Sequence, residues 1–270
     1  MSAIPILMYH HVNVLTENSE KGSDFITVDV NVFERQMAFL KREGYTTLTT
    51  TDFLEIRKTG KVPPRPVIIT FDDGWLDNWV YAYPILKLLK LKAVFFVITA
   101  HIASAGLRKR IDEGFTGRIP THKECVEIIK TSSGDVMMSW EELRQMELSG
   151  LIDVQSHTHT HHRWDAEPDM LESLYRDIAS SRAAIEEHLN KNCTALCWPW
   201  GIYTEDYIKT AEKAGFSILF TTEKGTNTVT SDIFRLKRIP IGNIGILNFR
   251  KKLFINSHSA ISSLYYKILK

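Results

Sequence analysis

The sequence has no long apolar run, and no uninterrupted hydrophobic stretch approaches the roughly 18 residues typical of a membrane span. Neither sign of charge is in excess, because 33 Lys and Arg residues face 32 Asp and Glu residues and give a formal net charge of +1. Without a basic or arginine-rich stripe, we expect no nucleic-acid partner. The 270 residues, 44% of them hydrophobic, suffice for one sizeable core of the length common in α/β barrels.

Cysteine is scarce, and Cys125, Cys193 and Cys197 form an odd set without a CxxC pair. We interpret them as small apolar core residues in a reducing compartment, with a Cys193–Cys197 bridge left open. The N-terminal MSAIPILMYHHV lacks the basic and long apolar segments of a secretory signal. We therefore expect a cytoplasmic protein, or one at the cytoplasmic membrane face, and an extracytoplasmic one only if a leader was removed.

Short apolar segments alternate with helical patterns along most of the chain. The segments predicted as strands are 4–10, 67–71, 93–99, 152–156, 194–198 and 216–222. The segments predicted as helices are 30–45, a short one after Thr51, 83–90 with Asp77 as its cap, 139–150, about 168–190 and 204–215. Ser139 and Glu142 form a capping box in the fourth helix. Repeated strand–helix order implies parallel strands with right-handed crossovers, hence an α/β barrel or a doubly wound sheet.

The predicted barrel occupies residues 1–248 and includes a less regular region. Residues 101–138 lack clear periodicity, and we interpret them as an insertion with a short helix near 122–131. Residues 249–270 form a basic, partly apolar segment that we predict to be helical. It suits either a weak contact with a membrane surface or a terminal helix packed on the barrel.

Polar side chains follow four of the predicted strands, each at the strand's C-terminal end. His10 and His11 follow IPILMY, Asp72 and Asp73 follow VIITF, the histidines of HTHTHH (157–162) follow IDVQS, and WPWG (198–201) follows TALC. Because parallel strands of a barrel end on the same face, we expect these side chains to gather there.

Two of these groups indicate metal-dependent chemistry. His157 and His161 are four residues apart, and two imidazoles with one carboxylate suit a divalent cation with positions left for water and substrate. An isolated HxxxH can equally be a solvated loop, but a second acidic motif at another strand end favours a site. Of Asp72 and Asp73, one would bind the metal, and the other would stay ionised as a base beside the cation.

TFDDG (70–74), HTHTH (157–161) and WPWG resemble the successive motifs of the polysaccharide deacetylase family, the NodB-homology carbohydrate esterases. The resemblance covers most of residues 4–245. It implies a distorted (β/α) barrel with about seven parallel strands, and hydrolysis of N-acetyl groups on a bacterial glycan of the N-acetylglucosamine type.

The resemblance also implies roles for single residues. Asp72 would be the catalytic base, and Asp73, His157 and His161 would bind one divalent metal ion, with Zn²⁺ favoured over Co²⁺, Ni²⁺ or Fe²⁺.

The sequence departs from the common family pattern in two places. ALCWPWG has no arginine to orient the base, and LKRIPIGN offers Arg238 where many members have a histidine acid. The N-terminal LMYHHV instead resembles the subgroup that deacetylates poly-β-1,6-N-acetylglucosamine, in which the acid comes from the first strand. That resemblance assigns the acid to His10, with His11 and His162 as alternatives, and leaves Arg238 to orient Asp72 or the substrate.

Trp75, Trp198 and Trp200 are candidates to stack on sugar faces, although core packing is an equally good interpretation of each. The leading hypothesis is thus a metal-dependent glycan N-deacetylase. A non-haem oxygenase that uses the two-His, one-carboxylate set and a glycan-binding module without catalysis are the alternatives. The sequence identifies neither the glycan nor the oligomeric state.

Overall fold

The computed structural model describes residues 2–15, 26–104, 106–166 and 170–268. Parts of four predicted segments lie outside these ranges: residues 16–25 of the first loop, residue 105 of the insertion, the start of the helix expected from about 168, and residues 269–270 of the tail. Within them the strands are β1 (Ile6–Tyr9), β2 (His11–Asn13), β3 (Thr27–Asp29), β4 (Thr46–Thr47), β5 (Pro66–Phe71), β6 (Ala93–Val97), β7 (Ile152–Ser156), β8 (Ala195–Cys197), β9 (Ile218–Phe220) and β10 (Ile239–Pro240).

The helices alternate with the strands as predicted. They are α1 (Val30–Arg42), α2 (Thr50–Thr59), α3 (Tyr83–Leu89), α4 (His122–Ile128), α5 (Trp140–Leu148), α6 (Met170–Leu189), α7 (Glu205–Lys213), α8 (Ile246–Asn256) and α9 (Ser259–Ile268). The capping box of α5 is present, because Ser139 accepts from the Glu142 amide and Glu142 reaches back. None of the helices described is both long and apolar enough to cross a membrane.

Seven strands form one parallel sheet in the order β10-β1-β5-β6-β7-β8-β9, with β4 added beside β5. The sheet curves into a distorted half-barrel, so the predicted α/β fold of about seven parallel strands is confirmed. The segment leading into β10 also touches the far edge, since Leu236 forms a bridge with Phe220 of β9. Because the seven strands are parallel, their C-terminal ends all lie on one face of the half-barrel.

The core forms where apolar side chains of the sheet meet those of the helices. All six residues of β5 are buried, and Phe71 at its end stacks on Phe95 of β6 with ring centroids 4.5 Å apart. Phe33, Met37 and Leu40 of α1 recur at helical spacing and are fully buried against this layer. The face that carries the polar strand ends thus rests on close-packed aromatic rings.

The region 101–138 is attached to the barrel at both of its ends. Its last residues pair with the segment after β5, where the Leu76 amide donates to the Val136 carbonyl and the Met138 amide donates to the Gly74 carbonyl. Near its start, Arg108 forms hydrogen bonds with the buried carboxylate of Glu142. The predicted insertion helix is present as α4; the domain boundaries at 101–138 and 248 stay predictions.

Two local expectations are decided by the structure. The prediction that Asp77 caps the helix was wrong, because its carboxylate is paired with His11 instead. Asp77 makes no capping hydrogen bond to the π-helical turn Asn78–Ala82 that precedes α3. Cys125, Cys193 and Cys197 are all buried and free, so the Cys193–Cys197 bridge left open by the sequence is absent.

Removing an aromatic ring from this layer should destabilise the protein strongly. Phe95 is fully buried, so Phe95→Ala leaves a cavity and should lower the free energy of unfolding by about 3–5 kcal/mol. Leu148→Ala, at a side chain that is 80% exposed, is the control and should change it by less than about 0.5 kcal/mol. Urea denaturation measures both, and equal losses would contradict this packing.

Candidate active site

Asp72 and Asp73 leave β5 in different directions because the backbone turns sharply between them. Asp73 has a positive φ of 75° and Gly74 one of 94°, a left-handed pair that only glycine adopts freely. A Cβ on Gly74 would lie 3.2 Å from Val97, so this position also needs the absence of a side chain. The turn gives the two neighbouring carboxylates separate partners.

Asp72 is bound by Arg238 in a two-pronged ion pair. Arg238 Nη1 lies 2.6 Å from Asp72 Oδ1 and Nη2 lies 2.8 Å from Oδ2, and both residues are almost completely buried. The guanidinium also donates to the Thr221 carbonyl and to the Thr70 hydroxyl, which fixes its plane. Burial raises the pKa of Asp72, but the charge and hydrogen bonds of Arg238, together with the nearby imidazoles of His157 and His10, leave that pKa below its ordinary value.

Asp73 faces two histidines that come from the loop after β7. Its Oδ1 lies 3.4 Å from His157 Nε2 and 3.7 Å from His161 Nε2, while its Oδ2 accepts a hydrogen bond from Trp75 Nε1 at 2.8 Å. His157 Nδ1 lies 2.8 Å from the Cys197 carbonyl, which can only accept. His157 therefore carries a proton on Nδ1, and Nε2 is the ring nitrogen that faces Asp73 and would bind a cation there.

The charges around these groups favour an ionised carboxylate. Burial alone would raise the pKa of Asp73, but the hydrogen bond with His157 and the nearby imidazoles hold it well below its usual range. Burial lowers the pKa of His161 to about 4, so its ring is neutral and able to act as a ligand. The loop itself is held by Asp177 of α6, which accepts from the backbone amides of His159 and Thr160.

This donor set fits a divalent cation. One ligand atom from each of Asp73, His157 and His161 lies within 4.8 Å of the other two, as a shared ion requires. Asp72, His157 and Cys197 meet the same distance test, but both Asp72 oxygens are already bound to a cationic guanidinium, and burial raises the pKa of the Cys197 thiol. The Asp73 set is therefore the better candidate.

The histidines of the N-terminal strand point to opposite sides. His10 Nε2 lies 3.8 Å from Asp72 Oδ2, and the side chain is partly exposed at the site. His11 is buried and its Nδ1 lies 2.6 Å from Asp77 Oδ2, so it does not face Asp72. His162, the other alternative acid, is exposed and stacks edge-on against Trp164. Of the three, the structure brings only His10 to the predicted base.

The three tryptophans lie in different surroundings. Trp200 is 51% exposed and its ring centroid lies 4.2 Å from that of His161, at the mouth of the site. Trp198 is 1% exposed and packs on Tyr207, and Trp75 is 5% exposed and binds Asp73. The prediction that Trp75 and Trp198 stack on sugars was wrong, because neither buried ring presents a free face. For Trp200, sugar stacking stays a prediction.

Several residues of the site were not singled out by the sequence analysis. Thr70 and Thr221 hold Arg238, Asp177 holds the histidine loop, and His122 joins His11. The Cys197 carbonyl is a backbone group and has no sequence signal at all. The sequence did carry a signal for Asp177, because this acidic residue lies among the apolar positions of the predicted helix. In the structure its side chain is buried.

The sequence profile of the polysaccharide deacetylase family matches residues 59–219, more than half of the chain. The chain belongs to the polysaccharide deacetylase family. As a polysaccharide deacetylase it is a hydrolase of carbon–nitrogen bonds, which sets aside the oxygenase interpretation. Among its relatives is the poly-beta-1,6-N-acetyl-D-glucosamine N-deacetylase of Staphylococcus aureus (strain MRSA252), 27% identical over 234 residues that cover 84% of this chain and 71% of that protein.

Solved structures share the fold of this deacetylase. The Streptococcus pyogenes deacetylase PplD, in complex with acetate, aligns with a TM-score of 0.74 and 23% identity over 93% of this chain and 98% of that chain. IcaB from Ammonifex degensii aligns with a TM-score of 0.69 and 22% identity over 96% and 98%. Both likenesses extend over nearly the whole chain.

Loss of the arginine should leave the buried charge of Asp72 without a partner. Arg238→Met should lower the free energy of unfolding by about 3–5 kcal/mol, and the double variant with Asp72→Asn should recover part of that loss. The control, Arg176→Met, breaks an exposed pair with Glu172 and should cost only about 0.5 kcal/mol. Urea denaturation measures all of them; a small effect of Arg238→Met, or no recovery, would argue against this ion pair.

Proposed function

We propose that this polysaccharide deacetylase is metal-dependent and removes N-acetyl groups from a poly-β-1,6-N-acetylglucosamine-type glycan. The observation that carries the proposal is the division of labour between Asp72 and Asp73. Both oxygens of Asp72 are bound by Arg238, which holds this carboxylate ionised, whereas one oxygen of Asp73 lies within 3.7 Å of two histidine nitrogens. The name of the staphylococcal relative supports the choice of glycan.

A divalent cation, Zn²⁺ by preference, would be held by Asp73, His157 and His161, and it would polarise the acetyl carbonyl and acidify a water molecule. The protein's own contribution starts with Asp72. Its carboxylate is oriented by two hydrogen bonds from Arg238 and can take the proton from the attacking water.

Breaking the amide requires a second proton transfer, to the nitrogen that leaves. His10 is the proposed donor, because its Nε2 lies 3.8 Å from Asp72 Oδ2 and its ring is accessible from the site. Burial lowers the pKa of His10 despite the two aspartates, so its ring is neutral at rest and gains its proton during turnover. The adjacent Asp72, once protonated by the water, is the nearest source. The products are then acetate and the free amine.

The substrate would enter past Trp200. This ring is half exposed beside His161, and Arg163 lies 5.7 Å from its centroid. The apolar face of a pyranose suits such a platform. The location of the protein and a membrane contact by residues 249–270 stay predictions.

The direct test is acetate release from defined oligosaccharides. We expect the zinc-loaded protein to release acetate from β-1,6-linked N-acetylglucosamine oligomers faster than from β-1,4-linked ones. A chelator should abolish the release, and added Zn²⁺ should restore it. No acetate from either series would overturn the proposed substrate class, whereas release that a chelator leaves unchanged would overturn the metal dependence.

The two aspartates should separate in one pair of variants. Asp72→Asn should lower kcat at least about 100-fold while the protein still binds Zn²⁺, because it removes the base but no ligand. Asp73→Asn should lose both activity and metal affinity, because it removes a charged ligand. Metal content after dialysis and acetate release are measured on each; retention of activity by Asp72→Asn would show that the roles are assigned wrongly.

A further inference from the structure

His11 is a buried histidine for which the proposed mechanism has no use. Its Nδ1 lies 2.6 Å from Asp77 Oδ2, and both side chains are excluded from solvent. Its Nε2 lies 3.1 Å from Nδ1 of His122, the first residue of α4. Both ring nitrogens are therefore engaged, and the plane of the ring is fixed from two sides.

The ring of His11 lies on Trp75. The two centroids are 4.6 Å apart and the planes are inclined by 26°, which is a stacked arrangement. Trp75 Nε1 donates to Asp73 Oδ2 at 2.8 Å. This hydrogen bond occupies one carboxylate oxygen and leaves Oδ1 directed at His157 and His161.

The insertion holds Trp75 from another side. Trp75 forms an antiparallel bridge with Met137, and the His122 ring meets the indole edge-on with centroids 6.1 Å apart. The backbone of Trp75 is thus held by Met137, and two imidazoles contact its indole. Because His11 packs directly on the ring that binds Asp73 Oδ2, we expect the position of this oxygen to depend on His11.

We propose that His11 is a positioning residue for the candidate metal site: held by Asp77 and His122, it fixes the Trp75 indole that orients Asp73. The proposal rests on the proposed function for the identity of Asp73 as a ligand. Partners behind a ligand typically change metal affinity or activity by about 10- to 100-fold when they are removed.

The decisive variant is His11→Asn. Its amide can still donate to Asp77, so the buried carboxylate keeps a partner, but the ring on Trp75 is lost. We expect the Kd for Zn²⁺, measured on the metal-free protein by competition with a chromophoric chelator, to rise about 10- to 100-fold. Saturating Zn²⁺ should restore most of the acetate release, which a general folding defect would not allow.

Two further variants complete the design. Trp75→Phe keeps a ring under His11 but lacks Nε1, and it should weaken Zn²⁺ binding to a similar degree. The control is His188→Asn, which removes a comparable stack on Trp140, where the centroids are 4.3 Å apart and the planes 11° apart. It should leave the Kd for Zn²⁺ unchanged.

The outcomes separate the two proposals. If His11→Asn and Trp75→Phe remain folded by circular dichroism and bind Zn²⁺ as tightly as His188→Asn, the positioning role is wrong and the metal site stands. If the unaltered protein binds no Zn²⁺, the metal site and the positioning role both fall. A loss confined to the two variants near Asp73 supports the role of His11.

Discussion

Asp72 and Asp73 are adjacent, buried and acidic, and the surrounding residues are arranged so that the two carboxylates share no close partner. In a single environment such a pair would repel, and one member would take up a proton. The left-handed backbone at Asp73 prevents this by turning the second side chain away from the first. Asp72 then meets the guanidinium at both oxygens and Asp73 meets His157 and His161, and these contacts help to hold both pKa values below their ordinary range.

The partner of Asp72 also links this charge to the closure of the sheet. Arg238 immediately precedes β10, the edge strand that pairs with β1, and its backbone amide donates to the Glu223 carbonyl beyond β9. Burying an ion pair costs desolvation that the attraction only partly offsets, so Arg238 is poor evidence for stability alone. Its value lies in geometry, because a planar guanidinium bound at two points fixes the orientation of the carboxylate.

The sequence indicated the face of the site because parallel strands bring their C-terminal ends together, whatever the loops between them do. The short strands β2, β3 and β10 have only two or three residues each and were not predicted, since so short a segment shows no alternation of apolar and polar residues. The His10–His11 pair shows a different limit. Neighbouring residues of an extended chain point to opposite sides, so one histidine had to face away from Asp72, but only the packing of Asp77 determines which.

Arg238 and Asp72 are 166 positions apart, and no local pattern joins them. The sequence offered the arginine only because the expected histidine was missing. Trp198 and Trp200 illustrate the same limit at short range. Trp198 directly follows β8 and is buried in the core, whereas Trp200 has a left-handed backbone and its ring is half exposed at the surface. The sequence gives no sign of this left-handed conformation, because tryptophan rarely adopts it.

Backbone strain is concentrated around the same cluster. Of the seven non-glycine residues with positive φ in the described chain, four line the site: Asp73, Thr158, His161 and Trp200. Each such conformation costs roughly 1–3 kcal/mol and persists only where its surroundings enforce it. Here the enforcing contacts are visible, because Ser156 Oγ accepts from the Thr158 amide and Thr158 Oγ1 accepts from the His161 amide. The protein itself thus fixes the positions of the candidate ligands, and a cation would enter an arrangement that is already formed.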